Sequence, residues 1–316
     1  MSLRLKKGIS GNDLGFGNGP TVNNQRLLNK DGTSNIRRVG LPFFRTADNY
    51  NALITMSWGK FLLLIFAAYL VINTLFAALY VWIGVEHLDG ADGKGAVNQF
   101  FDAFFFSAQT ISTVGYGHIS PQGMVASFLA AFESMLGLLA FALATGLLYG
   151  RFSRPTAKIV YSKNMLIAPY QDGKALMFRL ANLRSSQLIE IEVQVLYSTN
   201  VNEKGKIMRN FVPLELERSK ISLLTLSWTV VHPITEGSPL FGLTQADMNE
   251  GDAEFMIMLK AFDDTFSQTV HSRTSFANEE LVWDAKFEPV ISSDIDGVST
   301  LDYSKMGAYK LLNFVS

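Results

Sequence analysis

The stretch QFFDAFFFSAQTISTVGYG (99–117) decides how the rest of the chain is read. Its first part, 99–112, is rich in phenylalanine and reads as a helix too short to cross a bilayer. It runs straight into Thr113-Val114-Gly115-Tyr116-Gly117, and a long apolar run lies on either side. The run before it, 61–83, holds 23 residues without a charge. As a helix it reaches about 34 Å, enough for a hydrocarbon core of about 30 Å. The run after it, 124–149, is broken only by Glu133. A carboxylate at that depth is by default a functional position. Non-helical backbone between two spans survives only where protein buries it or it lines a water-filled path. Gly115 and Gly117 permit backbone angles that turn successive carbonyls toward one axis.

Composition agrees with membrane insertion. Of 316 residues 48% are hydrophobic and only 17% charged, against a usual charged share of about 25%. The net charge of −1 argues against a nucleic-acid partner. With no cysteine, disulfides, thiol nucleophiles and thiolate metal sites are excluded. The four histidines are scattered without metal-ligand spacing, and no nucleophile–base arrangement stands out. Neither an enzyme nor a bound cofactor is expected. Arg26, Lys30, Arg37, Arg38, Arg45 and Lys60 precede the first span, and Arg151, Arg154, Lys158 and Lys163 follow the second. The segment between them carries Glu86, Asp89, Asp92 and Asp102 against Lys94 alone. Both termini are therefore expected in the cytoplasm.

Four regions follow: an N-terminal cytoplasmic segment (1–45), an interfacial helix (46–58) with a surface loop as its alternative, a transmembrane domain (59–152), and a cytoplasmic domain (153–316). The last alternates short β-rich segments such as MLIAPY, ALMFRLANL and IEIEVQVLYS with turns, as an all-β sandwich does. Gly15, Gly17 and Gly19 lie in a glycine-rich tract with no preceding strand and no following lysine, so a nucleotide loop is not expected there.

TVGYG is the filter signature of potassium channels, and its setting between two spans makes the match specific. The chain further resembles the prokaryotic branch of the inward-rectifier potassium channels over about 28–312. The resemblance rests on DGTSNIRRVG (31–40), RFSRPTAKIVYS (151–162), GKALMFRLANLR (173–184), SWTVVHPI with SPL (227–240) and HSRTSFANEELVW (271–283). It implies a homotetramer whose cytoplasmic immunoglobulin-like domains extend the pore. It also implies a place in a bacterial inner membrane, with potassium as the permeant ion.

The same resemblance implies roles for single residues. Thr113, Val114, Gly115 and Tyr116 offer oxygens to the ion, Gly117 closes the filter, and Tyr116 turns its ring onto the pore-helix aromatics. Gly137 is an inner-helix hinge, or a small residue allowing close packing. Tyr149 matches the gating aromatic, or is an interfacial anchor. Phe141 lies eight residues earlier on nearly the same face, where strong rectifiers carry an acid. Glu190 matches a cytoplasmic-pore acid that attracts magnesium or polyamine blockers, with Glu192 sharing its strand parity. Arg151 and Arg154 are expected to bind anionic phospholipids, or merely to set topology. The stretch 270–273 matches a loop that constricts the cytoplasmic pore. Many eukaryotic relatives brace the filter with a glutamate–arginine pair; Gln109 and His118 occupy those positions here. Glu133 is left either to support the pore helix, to sit there as a neutral acid, or only to pack. A non-conducting membrane receptor is the rival reading.

Overall fold

The computed structural model describes residues 26–37, 39, 46–153, 157–203, 206–293 and 298–312. The tract 11–20, Arg38 and Arg154 lie outside them. The chain divides into two compact units, a helical one within 40–154 and a β one that joins the N-terminal segment to 155–316.

Among the described residues, the helical unit has four α-helices, α1 (Thr46–Thr55), α2 (Trp58–Ile83), α3 (Ala96–Ile111) and α4 (Gly123–Phe152). Two-residue strands β1 (Leu88–Asp89) and β2 (Ser120–Pro121) pair antiparallel and close the loops around α3. α2 and α4 are 26 and 30 residues long, about 39 and 45 Å. Both are long and apolar enough to cross a bilayer, and most of their surface is uncovered: Leu63 is 66% and Phe128 76% exposed. A soluble protein would not leave so much apolar surface in water. Where the three helices meet, small residues (Ala77, Ala103, Ala130) let the backbones approach, and Phe76, Tyr80 and Phe106 fill the gaps. The Tyr80 and Phe106 rings meet edge-on at 5.1 Å.

The β unit is a sandwich. One sheet runs β11 (Gln268–Ala277), β10 (Glu254–Asp263), β6 (Leu188–Glu203), β7 (Lys206–Leu214), with β8 (Lys220–Leu224) also on β6. The other runs β12 (Leu281–Trp283), β4 (Met165–Tyr170), β5 (Gly173–Asn182), β3 (Ile159–Tyr161), with β9 (Ser227–Ile234) on β5. The period-2 alternation of the strands builds the core. Phe255, Ile257 and Leu259 of β10, with Val193 and Val195 beside them on β6, share one buried core with Leu176, Phe178 and Leu180 of β5 in the other sheet. Each such side chain, fully buried, contributes about 1.5–3 kcal/mol.

Met256, on the outer face of β10, covers Leu28 of the N-terminal segment together with Leu196 and Phe211. That segment is bolted along the edge strand β11. The Leu27 and Leu28 N–H groups donate to the buried Glu254 carboxylate at 3.0 and 3.2 Å. Arg26 and Lys30 pair with Glu280 at 3.0 and 2.6 Å. Burial opposes ionisation of Glu280, but the hydrogen bonds from Lys30 and the Ala277 N–H and the two positive charges outweigh it and hold the carboxyl below its ordinary range.

His232 on β9 is 3% exposed. Its Nδ1 must donate, since its partner is the Glu215 carbonyl; Nε2 accepts from Ser238 Oγ at 2.8 Å. Burial holds the imidazole below its ordinary range. The unfolded chain therefore binds a proton below about pH 6.5 that the folded unit does not. Stability contributed by His232 is intact above that pH and falls as pH drops below it. Thermal melting of the full-length protein in detergent is expected to show a lower transition near pH 5 than near pH 7.5. A His232→Gln variant should show a smaller pH difference; an unchanged one would refute the assignment.

Candidate functional site

The loop after α3 has an unusual backbone. Thr113, Gly115 and Gly117 are left-handed, at φ +59°, +53° and +78°, while Val114 and Tyr116 between them are not. Alternating handedness turns carbonyls that would point to opposite sides of a strand toward one side. The loop is anchored on the last turn of α3. Thr113 N–H donates to Thr110 O at 3.1 Å, and the Gln109 carbonyl accepts from the Val114 and Gly115 N–H groups at 3.0 and 3.4 Å. Gln109 thus supports this loop through its main chain. Residues 113–118, His118 included, are exposed in the single chain.

Behind the loop lies a polar cluster with no access to solvent. Glu133 on α4, Ser107 on α3 and Asn73 on α2 are all 0% exposed, and Tyr80 on α2 is 1%. Tyr80 Oη donates to Glu133 Oε2 at 2.8 Å. Ser107 Oγ is hydrogen-bonded to Glu133 Oε1 and lies 3.0 Å from Asn73 Oδ1. Asn73 Nδ2 donates to the Tyr69 carbonyl at 2.6 Å. Glu133 therefore touches the pore helix through Ser107. Asn73, Ser107 and Tyr80 were not legible as site residues, because single polar residues in apolar helices are common.

Gly137 sits where α4 crosses the end of α3, and a Cβ there would lie 2.2 Å from the Ile111 carbonyl oxygen. Of the two roles left open, close approach is the one this conformation uses. Phe141 and Tyr149 are each 75% exposed on α4, one below the other by about 2.2 turns.

Several expectations need correction. Arg151, expected to bind lipid or merely to set topology, turns its guanidinium toward its own chain. Its two terminal nitrogens donate to Leu53 O at 2.6 Å and Met56 O at 2.7 Å, carbonyls freed at the end of α1. Its plane lies over the rings of Trp58 and Phe61, at 4.6 and 4.4 Å. The interfacial helix, α2 and the end of α4 are thereby joined. Arg151→Met is expected to cost about 2–4 kcal/mol, from two charge-assisted bonds and the ring contacts. Hydrogen exchange at 49–56 should accelerate accordingly; unchanged protection would refute the clamp.

Tyr116 does not rest on the aromatics of its own α3. It is 78% exposed, and those rings contact one another and Tyr80 instead. Within the single chain, packing of Tyr116 on pore-helix aromatics is not seen among the described residues. Residues 270–273 are not a loop. They lie within β11, paired to β10, with Val270 buried. The parity argument linking Glu190 and Glu192 also fails. Glu190 is left-handed (φ +51°), in a bulge where β6 slips one residue against β10. Glu190 is exposed, whereas Glu192 lies 3.4 Å from Lys220.

Comparison with known proteins bears on the whole chain. Residues 159–314 match the family model of the inward rectifier potassium channel C-terminal domain, and 61–154 the ion channel model. Inward rectifier potassium channel Kirbac3.1 of Paramagnetospirillum magnetotacticum is 39% identical over 288 residues, covering 90% of this chain and 96% of that protein. The chain belongs to the inward rectifier potassium channel family. Inward rectifier potassium channel 18 of Homo sapiens is 29% identical over 320 residues, with 92% of this chain and 72% of the relative aligned. ATP-sensitive inward rectifier potassium channel 12 of Mus musculus is also 29% identical, with 92% and 74% aligned. As a member of this family, the chain combines a membrane-embedded helical pore region with an all-β sandwich, the fold class expected from its sequence.

Proposed function

We propose that four copies of this chain form a potassium-selective pore in a bacterial inner membrane, with both termini in the cytoplasm. The observation that carries this reading is the alternating left-handed backbone at Thr113, Gly115 and Gly117. One chain supplies one row of carbonyls. A dehydrated cation needs several rows around it, which calls for a cyclic tetramer. The uncovered Tyr116 ring and the bare apolar faces of α3 and α4 support the same assembly. Potassium is the permeant ion and is not changed chemically, so no cofactor enters.

Tyr149 is the gate: four rings near the ends of four inner helices close the path by excluding water. Phe141 carries no charge, so block by magnesium or polyamines depends on Glu190 in the cytoplasmic part. Anionic phospholipids bias the closed–open equilibrium through Arg154 and through what remains free of Arg151, two of whose N–H groups are held by the Leu53 and Met56 carbonyls.

The test is rubidium uptake into potassium-loaded liposomes, with barium as blocker, with and without phosphatidylinositol bisphosphate. Barium-sensitive uptake is expected, and Tyr149→Ala should raise it about tenfold or more by removing the apolar constriction. A verified Tyr149→Ala tetramer with no uptake under either lipid condition would overturn the reading in favour of a non-conducting receptor.

A further inference from the structure

The buried cluster behind the filter does not balance its hydrogen atoms as drawn with an ionised Glu133. Ser107 has one hydroxyl hydrogen and two oxygen partners, Glu133 Oε1 and Asn73 Oδ1. Turning the Asn73 amide over does not help. The flip would replace the donating nitrogen by an oxygen 2.6 Å from the Tyr69 carbonyl oxygen, setting two acceptors against each other. If Ser107 donates to a carboxylate, the Asn73 oxygen faces another lone pair at 3.0 Å, at a residue that is 0% exposed. The carboxylate itself would then be a buried charge with no cation at ion-pair distance among the described residues.

One arrangement pairs every group. Glu133 donates to Ser107, Ser107 donates to Asn73 Oδ1, Asn73 donates to Tyr69 O, and Tyr80 donates to the remaining oxygen of Glu133. We infer that Glu133 is a neutral carboxylic acid heading a one-way hydrogen-bond relay, Glu133 to Ser107 to Asn73, that fixes the pore helix between the two spans. Its role in selectivity rests on the reading of 113–117 as the filter. Ser107 lies two residues before Gln109, whose carbonyl takes the Val114 and Gly115 N–H groups. Holding Ser107 from both sides therefore sets where the filter loop begins. The relay gives this chain a neutral brace where Gln109 and His118 provide no ion pair.

The test uses the full-length tetramer in liposomes, with glutamate labelled at its side-chain carboxyl carbon. The infrared difference between wild type and Glu133→Gln is expected to contain the carbonyl stretch of a protonated acid. A carboxylate stretch in its place would overturn the assignment. In parallel, Glu133→Gln, which can still donate to Ser107 and accept from Tyr80, is expected to keep barium-sensitive uptake and preference for potassium over sodium within about threefold. Glu133→Asp draws the carboxyl back by one methylene and is expected to lose about tenfold or more of that preference. The reverse order, with Asp retained and Gln lost, would also overturn it. Absence of uptake by the Tyr149→Ala tetramer, together with a clear acid band from Glu133, would overturn the filter reading and leave the proton assignment standing.

Discussion

Gly115→Ala is expected to abolish barium-sensitive rubidium uptake while leaving the tetramer assembled. Beyond its two chain neighbours, an alanine Cβ at this position meets no atom of the described residues within 4 Å, so no clash with them prevents folding. The cost lies in the backbone. At φ +53° an L-residue is disfavoured by about 1–2 kcal/mol, and the symmetry of a tetramer repeats this in every copy. Thr113 bears the same strain at φ +59°, but its N–H is tied to Thr110 O at 3.1 Å. Gly115 has only the longer 3.4 Å bond to Gln109 O. Relaxing to a negative φ is then the easier course for alanine, and it rotates the neighbouring peptide plane. A carbonyl that replaced ion hydration turns away, and the dehydrated ion has no substitute. Size-exclusion chromatography should show an unchanged tetramer. Retained uptake would refute the role of the alternating backbone.

Gly137→Ala is expected to disturb the same loop from behind, by a different cause. The added carbon would stand 2.2 Å from the Ile111 carbonyl oxygen and 2.9 Å from its carbon. These are backbone atoms at the end of α3, so no side-chain rotation relieves the overlap. The helices must separate, at an overpacking cost of about 1–3 kcal/mol per chain, and the shift falls two residues before Thr113. Loss of ion selectivity with a lower melting temperature is expected. Gly146, also on α4, has nothing within 4 Å of an added Cβ in its own chain and provides the comparison. There alanine should stabilise the helix by up to about 1 kcal/mol. A hinge at Gly137 makes the opposite prediction in stability: alanine would stiffen α4 and raise the melting temperature. The sign of that change separates the two roles.

What could be read beforehand was what depends on neighbours along the chain. The apolar runs announce two spans because length and lack of charge are one-dimensional properties. Their ends extend to Trp58–Ile83 and Gly123–Phe152, past where hydropathy alone would stop, because Lys60 and Arg151 continue the helices into the interface. MLIAPY became β4, and IEIEVQVLYS lies within β6, because their β-branched and apolar residues suit a sandwich. The filter loop was legible from its five residues, although the left-handed Thr113 was not, since threonine rarely adopts that conformation.

What escaped was set by approach through space. Ser107 gains its meaning from Asn73, 34 positions away, and Glu133, 26 away. Arg151 resembled a lipid ligand until the end of α1 came within reach of its guanidinium. The bulge at Glu190 overturned an argument from alternation because register depends on the partner strand. Residues 270–273 read as a loop from resemblance but continue the ladder with β10.

The attachment of the N-terminal segment to β11 has a consequence for how the protein is made. Arg26 hydrogen-bonds Ser275 across 249 positions, and Leu27 reaches Glu254 across 227. On the ribosome, the first of these residues to emerge must wait for both spans and nearly all of the sandwich to be synthesised before their partners exist. Contacts so distant in sequence form late and slowly. Until then Leu28 has no cover and the edge of β11 has no guard, an exposure that favours aggregation. This clasp therefore cannot close until residues 254–280 have been made, long after residues 26–30 have emerged.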